Sequence, residues 1–210
     1  MTLRHILLAL VLLLPLPAAA QQEAAAVRDS FLGYKSAILT GDGETAAELV
    51  TERTHALYRG FADSALTLDK PGLDALHVMD RMSVMQLRHQ LNRRQLESMC
   101  GEEIVAYAVD HGWIGKDGAA RLQVGDFTVD GDFATAPILG GDGKETLLRM
   151  RFAREGGVWR LDLVEMMALT RVAIAQAIRQ TGMSEDAFIL VFLEAASGRK
   201  PDPDIWSPPS

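Results

Sequence analysis

The chain has 210 residues, 48% of them hydrophobic, and its 21 basic and 28 acidic side chains give a net charge of −7. A chain of this length can bury a substantial core within one domain. The acidic balance argues against a nucleic-acid partner, and a single cysteine, Cys100, leaves no internal disulfide. Because no basic residue adjoins Cys100, we expect a buried, unreactive thiol.

The N-terminus has the features of a cleavable signal peptide. Arg4 and His5 precede an almost wholly apolar run, residues 6–16, and small residues follow at 17–20. The run is too short to span a bilayer, which takes about 20 residues as a helix, and no later segment is long and apolar enough to do so. We therefore expect cleavage near Ala20, within a signal peptide of residues 1–20. The mature protein is then periplasmic or secreted and has no membrane span.

Helices are predicted before any strand. They cover residues 23–39, 44–65 and 69–89, a short segment that opens at 92, and residues 102–111. The second follows Asp42, a natural N-cap, and the third has Pro71 at an early position, where its missing N–H costs nothing. Asn92 followed by Gln95 is typical of a capping box. The chain ahead of the sheet is therefore predicted to be helical.

Four strands follow, at residues 121–129, 132–139, 145–154 and 158–164. The glycine-containing pairs at 130–131 and 156–157 predict hairpin turns. In the last strand Trp159, Leu161 and Leu163 alternate with polar residues, so they share one face. The sequence therefore predicts an antiparallel sheet with one apolar face.

The opposite face of this sheet is predicted to be charged. Arg149 and Arg151 alternate with the apolar Met150 along the third strand. Asp162 lies on the same charged face of the fourth strand, so we expect both arginines within reach of it.

Beyond the sheet, helices are predicted at 166–180 and from Ser184 onward. The tail, residues 198–210, is rich in glycine and proline and is predicted to be an extended arm. Its apolar pair, Ile205 and Trp206, is expected to dock on this protein or on a second copy of it. The chain is thus an α+β protein with a single domain at 21–197. A curved antiparallel sheet packs against N-terminal helices, and additional helices precede the sheet and follow it.

Three short motifs give a resemblance to a known family. They are a Gly-Asp pair before an alanine-containing amphipathic run at 41–47, Val-Asp-Gly-Asp-Phe-Ala at 129–134, and Glu-Gly-Gly-Val-Trp-Arg-Leu at 155–161. With the helices and the antiparallel meander, the chain resembles the nuclear-transport-factor-two-like superfamily, whose cone-shaped fold is shared with ketosteroid isomerase. The chain differs from that pattern in lacking a first strand between the second and third helices. It also has extra helices, which could plug the mouth of a cone.

The sequence lacks four common catalytic or metal-binding motifs. A phosphate-binding loop, a calcium loop, a nucleophile elbow and a zinc-protease helix are all absent. Four histidines follow the signal peptide, and each is isolated from the others: His55, His77, His89 and His111. Zinc needs three or four converging ligands. We therefore expect no metal and no cofactor.

The first functional hypothesis is a non-catalytic exported domain that binds a small apolar ligand or associates as a homodimer. The candidate ligand-contacting residues are Tyr34, Tyr58, Met150 and Trp159. Methionines spaced as on one helix face, at 79, 82 and 85, either line an adaptable pocket or belong to the core.

Two alternatives stay open. The resemblance implies an isomerase or dehydratase, which needs an acid–base residue and a polar partner in one cavity; the candidates are His55, Tyr58 and Asp110. The additional helices and the C-terminal arm instead favour a scaffold or partner-binding module.

Overall fold

The computed structural model describes residues 16–113 and 115–210. The first 15 residues of the predicted signal peptide are not among the described residues. Its last five, residues 16–20, form the start of the first helix. None of the described helices is both long enough and apolar enough to cross a bilayer.

The described residues form an α+β fold, as predicted. Eight helices precede the sheet: α1 Leu16–Thr40, α2 Gly43–Glu48, α3 Glu52–Thr67, α4 Lys70–Asp74, α5 Val78–Gln90, α6 Arg93–Ser98, α7 Gly101–Asp110 and α8 Lys116–Arg121. The strands are β1 Thr128–Asp130, β2 Phe133–Leu139, β3 Glu145–Glu155 and β4 Val158–Leu161. The helices α9 Leu163–Thr181 and α10 Glu185–Ser197 and a 3-10 turn, Pro203–Trp206, follow. The strands pair antiparallel in the order β1-β2-β3-β4, and the sheet is uncurled, without the predicted curvature.

Two predicted long helices are each broken in two. The first break separates α2 from α3 at residues 49–51, where Leu161 of β4 donates its N–H to the Leu49 carbonyl at 2.8 Å and accepts from Thr51 at 3.1 Å. This pairing with the sheet edge removes three residues from the helix, and the Thr51 hydroxyl then caps α3. The second break, before α5, is capped by the His77 side chain. At residues 49–51, tertiary contacts therefore outweigh a continuous helical pattern.

The predicted caps before α2 and α6 are confirmed. The Asp42 carboxylate accepts from the Thr45 N–H at 3.1 Å. Asn92 and Gln95 form the reciprocal capping box, with both backbone-to-side-chain distances at 3.0 Å. Local side-chain hydrogen bonds therefore set these helix starts, because they satisfy N–H groups that have no partner within the helix.

Both predicted hairpins are present, but two strand boundaries were wrong. Asp130 pairs with Phe133 across a turn in which Gly131 has a φ of 59°, a left-handed conformation suited to glycine. The predicted first strand began at residue 121, which belongs to α8. Residues 122–127 pair with the sheet only through an isolated bridge between Val124 and Ile138, so β1 is three residues long. The last strand ends at Leu161 because the Asp162 carboxylate accepts from the Val164 N–H at 2.9 Å and caps α9.

Two further predictions about single residues were wrong. The Asp162 carboxylate pairs with Arg53 of α3 at 2.9 Å, whereas Arg151 lies 3.7 Å from Glu165. Asp162 caps α9, so its carboxylate binds the Val164 N–H and Arg53 rather than an arginine of the third strand. Cys100 is exposed rather than buried, at the start of α7.

The core consists of two clusters of buried side chains. The sheet cluster joins α1, α2 and α7 to the sheet; its largest members include Phe31, Ile38, Met150, Phe152, Trp159 and Leu161. The helix cluster joins α3, α5, α6, α7, α9 and α10; its members include Phe61, Met85, Leu96, Ile104, Ile189 and Leu193. Tyr58 of α3 packs against both clusters.

The C-terminal arm docks on its own chain. Ile205 is buried in the helix cluster, and its carbonyl accepts a hydrogen bond from Arg88 at 3.2 Å. The Lys70 ammonium lies 4.7 Å from the ring centroid of Trp206. The predicted apolar anchor therefore contributes to the core of this molecule.

Candidate functional site

A cavity of about 610 Å³ lies between the two clusters. Both tyrosines predicted as ligand contacts line it: Tyr34 from α1 and Tyr58 from α3. The sheet contributes Met150 and Leu161 to its wall. The volume falls within the usual range for sites that hold small molecules, about 300–1,000 Å³.

Two helices line the cavity with regular stripes. On α5 the stripe consists of Met79, Met82, Ser83, Gln86 and Leu87. On α9 it consists of Leu163, Met166, Met167, Thr170 and Ile174. The three- and four-residue spacings place each set on one face of its helix. Because four of these ten side chains are methionine thioethers, the walls can adapt their shape to an occupant.

The cavity reaches the surface beside α8, α9 and α10. Gly115, Gly118 and Thr170 line it and are exposed, and Phe192 lines it with 37% of its surface exposed. Gly118 lies within α8, and a Cβ added there would meet no heavy atom within 4 Å. This rim is open enough to accept a larger side chain.

Of the described residues that line the cavity, none is Asp, Glu, Lys, Arg or His. Among the polar ones, the hydroxyls of Ser83 and Thr170 donate to carbonyls of their own helices, at 3.2 and 3.0 Å. The hydroxyls of Tyr34 and Tyr58 and the amide of Gln86 make none of the hydrogen bonds found among the described residues. The wall is thus apolar with a few uncharged hydrogen-bonding groups.

Both tyrosines are held in their neutral form. Burial raises the pKa of Tyr34 above its ordinary value, and the proximity of Tyr58 raises it further. Burial also raises the pKa of Tyr58. Desolvation disfavours the phenolate, so at neutral pH these groups are hydrogen-bond donors and acceptors without charge.

Gln86 is an unusual member of this wall. It is only 6% exposed, and its Oε1 has no hydrogen-bond partner among the described residues. A buried polar atom without a partner costs about 1–3 kcal/mol. Gln86 was not predicted as a site residue, although a glutamine between the apolar Met85 and Leu87 of α5 was a signal that could have pointed to it.

The structure brings together three of the four predicted ligand contacts. Tyr34, Tyr58 and Met150 line the cavity, whereas Trp159 does not. Trp159 is buried in the sheet cluster, where its indole N–H donates to Glu23 at 3.1 Å and Arg154 lies 4.9 Å from its ring centroid. It is a core residue at the junction of α1 and the sheet.

The predicted acid–base candidates do not meet in one cavity. Tyr58 lines it, but the His55 ring is buried elsewhere, with Nε2 2.9 Å from the Ala47 carbonyl oxygen. The Asp110 carboxylate accepts from the Gly43 N–H at 2.7 Å and ties α7 to α2. Both His55 and Asp110 therefore connect structural elements outside the cavity.

Within residues 16–113 and 115–210, no group of three or more His, Cys, Asp or Glu side chains is placed to hold a metal ion.

Comparison with protein-family models, with curated proteins and with solved structures finds no match for this chain.

Proposed function

We propose that this protein is an exported, non-catalytic binding protein that holds a small apolar molecule in the cavity between its two clusters. The observation that carries the proposal is the 610 Å³ cavity with an apolar, uncharged wall. Such a wall stabilises a bound molecule chiefly by removing apolar surface from water. Export rests on the apolar run and small residues at the N-terminus.

The geometry gives less support to an isomerase or dehydratase. That chemistry needs an acid–base group close to the polar partner. Of the three candidates only Tyr58 lines the cavity, while His55 and Asp110 bond to backbone groups elsewhere. A partner-binding role for the arm is likewise less favoured, because Ile205 is buried within this chain.

Blocking the rim tests the proposal. Gly118→Trp and Thr170→Trp would each place an indole at an exposed position of the cavity wall. Gly60→Trp is the matched control, because Gly60 is also exposed, helical and free of atoms within 4 Å of an added Cβ, but does not line the cavity. The probe is diphenylhexatriene, a hydrocarbon that fluoresces when it leaves water.

We expect saturable, one-to-one uptake of the probe by the wild-type protein and by Gly60→Trp. At least one rim variant should bind it about tenfold more weakly or worse, which corresponds to a loss of about 1.4 kcal/mol. Circular dichroism checks that every variant is folded. Absence of saturable uptake by the wild type, or equal uptake by all four folded proteins, would contradict the proposal.

A further inference from the structure

We infer that the cavity is built for an uncharged apolar molecule that carries a hydroxyl group and pairs it with the Gln86 amide. This inference rests on the proposed function and names the chemical class of its ligand. Long-chain or polycyclic alcohols fit the description. A pure hydrocarbon can enter the cavity but leaves the amide unpaired, and a fatty-acid anion is disfavoured by its charge.

The first support is the unpaired state of Gln86. The side chain is more than nine-tenths buried on α5 and lines the cavity, and its Oε1 lacks a partner among the described residues. A leucine or methionine would fill this position without that cost, since apolar groups of similar shape can replace buried polar ones with little loss. The Oε1 atom is itself covered by protein atoms, so a bound hydroxyl would supply the missing hydrogen bond once the amide rotates and turns Oε1 into the cavity.

The second support is the chemistry of the hydroxyl group itself. A hydroxyl both donates and accepts, so it can pair with either end of the amide and with a tyrosine hydroxyl. Tyr34 and Tyr58 offer two such hydroxyls in the same wall, and neither takes part in the hydrogen bonds found among the described residues. A hydrocarbon would leave all three groups unpaired.

The third support is the absence of charge around the cavity. None of the described lining residues carries a cationic side chain that could pair with a carboxylate. Burying an ion without a partner is far more costly than burying a hydrogen-bonded neutral group. The raised pKa values of Tyr34 and Tyr58 have the same physical cause, because both report an environment that disfavours negative charge.

A displacement experiment tests the inference. Diphenylhexatriene bound to the wild type is displaced by dodecan-1-ol and, separately, by dodecanoate at pH 8. Both measurements are repeated with Gln86→Leu and with the control Gln90→Leu. Gln90 is a second glutamine of α5 that does not line the cavity.

We expect dodecan-1-ol to displace the probe at a concentration at least about tenfold lower than dodecanoate, because the anion would be buried without a partner. Gln86→Leu should weaken dodecan-1-ol binding at least about fivefold, the effect of one lost hydrogen bond. Its binding of the hydrocarbon probe should stay unchanged and its melting temperature should be equal or higher. Gln90→Leu should behave as wild type in both binding measurements.

The outcomes separate this inference from the proposed function. No saturable probe binding by the wild type would overturn both. Probe binding with equal or stronger displacement by dodecanoate, or with dodecan-1-ol affinity unchanged in Gln86→Leu, would overturn the inference and leave the proposed function standing. If Gln86→Leu does not fold, Gln86→Met replaces it. Loss of folding in both would show that the amide stabilises the protein, which also overturns the inference.

Discussion

Tyr34 is the residue in which burial, charge and the cavity are most closely linked. It is 7% exposed, belongs to the sheet cluster and lines the cavity. Its hydroxyl lies where ionisation is disfavoured both by desolvation and by Tyr58. The state of this one proton therefore bears on the stability of the region where the two clusters meet.

Replacing Tyr34 with phenylalanine should make the protein less sensitive to alkali. The pKa of Tyr34 is raised in the folded state, so the unfolded chain loses this proton first, at about pH 10. The contribution of the Tyr34 proton to the free energy of unfolding is therefore fully present below that pH. It decreases as pH rises above it, by up to about 1.4 kcal/mol per pH unit. Urea denaturation between about pH 8 and pH 12 measures this. Plotted against pH, the free energies of unfolding of wild type and Tyr34→Phe should be parallel below about pH 9. Above pH 10 the free energy of unfolding of the wild type should fall more steeply. Parallel curves throughout would contradict the expectation.

At the scale of elements, helix α7 lies unusually close to two others. A Cβ on Gly101, the first residue of α7, would collide with the His55 carbonyl group of α3. A Cβ on Gly43, the first residue of α2, would collide with the Ala106 carbonyl group of α7. The two glycines therefore permit close backbone packing that holds α2, α3 and α7 together.

Gly101→Ala should destabilise the protein by about 2–3 kcal/mol, because the new methyl group forces two helix backbones apart. Gly60→Ala is the matched control: Gly60 lies in the interior of α3 with open space around it. There the same change should stabilise the protein by about 0.5–1 kcal/mol through helix propensity. Chemical denaturation of both variants measures the difference, and similar free energies of unfolding would rule out the close-packing explanation.

At the scale of the whole molecule, the C-terminal arm completes the helix cluster. Ile205 enters this cluster, and Trp206 packs against it. Near the arm, Lys70 and the buried Arg81 pair with carboxylates of α4 and α10, including Asp74 and Asp186 at 2.5 to 3.4 Å. The end of the chain thus helps to hold the helices that form one wall of the cavity.

Ile205→Ala should lower the free energy of unfolding by about 2–4 kcal/mol, the usual effect of deleting a buried aliphatic side chain. Ser207→Ala, at an exposed position two residues later, should change it by less than about 0.5 kcal/mol. Thermal and urea denaturation of the two variants measure the contrast. An Ile205→Ala protein as stable as Ser207→Ala would mean that the arm does not contribute to the core.

The candidate site was predictable only where a side chain followed a regular pattern. Tyr34, Tyr58 and Met150 were predicted and line the cavity. Helix and strand periodicity placed Tyr58 and Met150 on inward faces. Trp159 obeys the same periodicity but faces a filled part of the core. Periodicity gives the direction of a side chain and not the space in front of it, so Gln86 and the α9 stripe were not identified.

The sequence by itself determined the succession of a helical region, four antiparallel strands and two further helices, the capped helix starts at Asp42 and Asn92 and the two hairpins, because these depend on neighbours a few residues apart. The tertiary structure decided where helices break, as at residues 49–51, where a strand edge supplies better hydrogen-bond partners. It also decided that a cavity exists. Its wall gathers side chains from Tyr34 to Phe192, and no local pattern contains the distances between elements that leave this space unfilled.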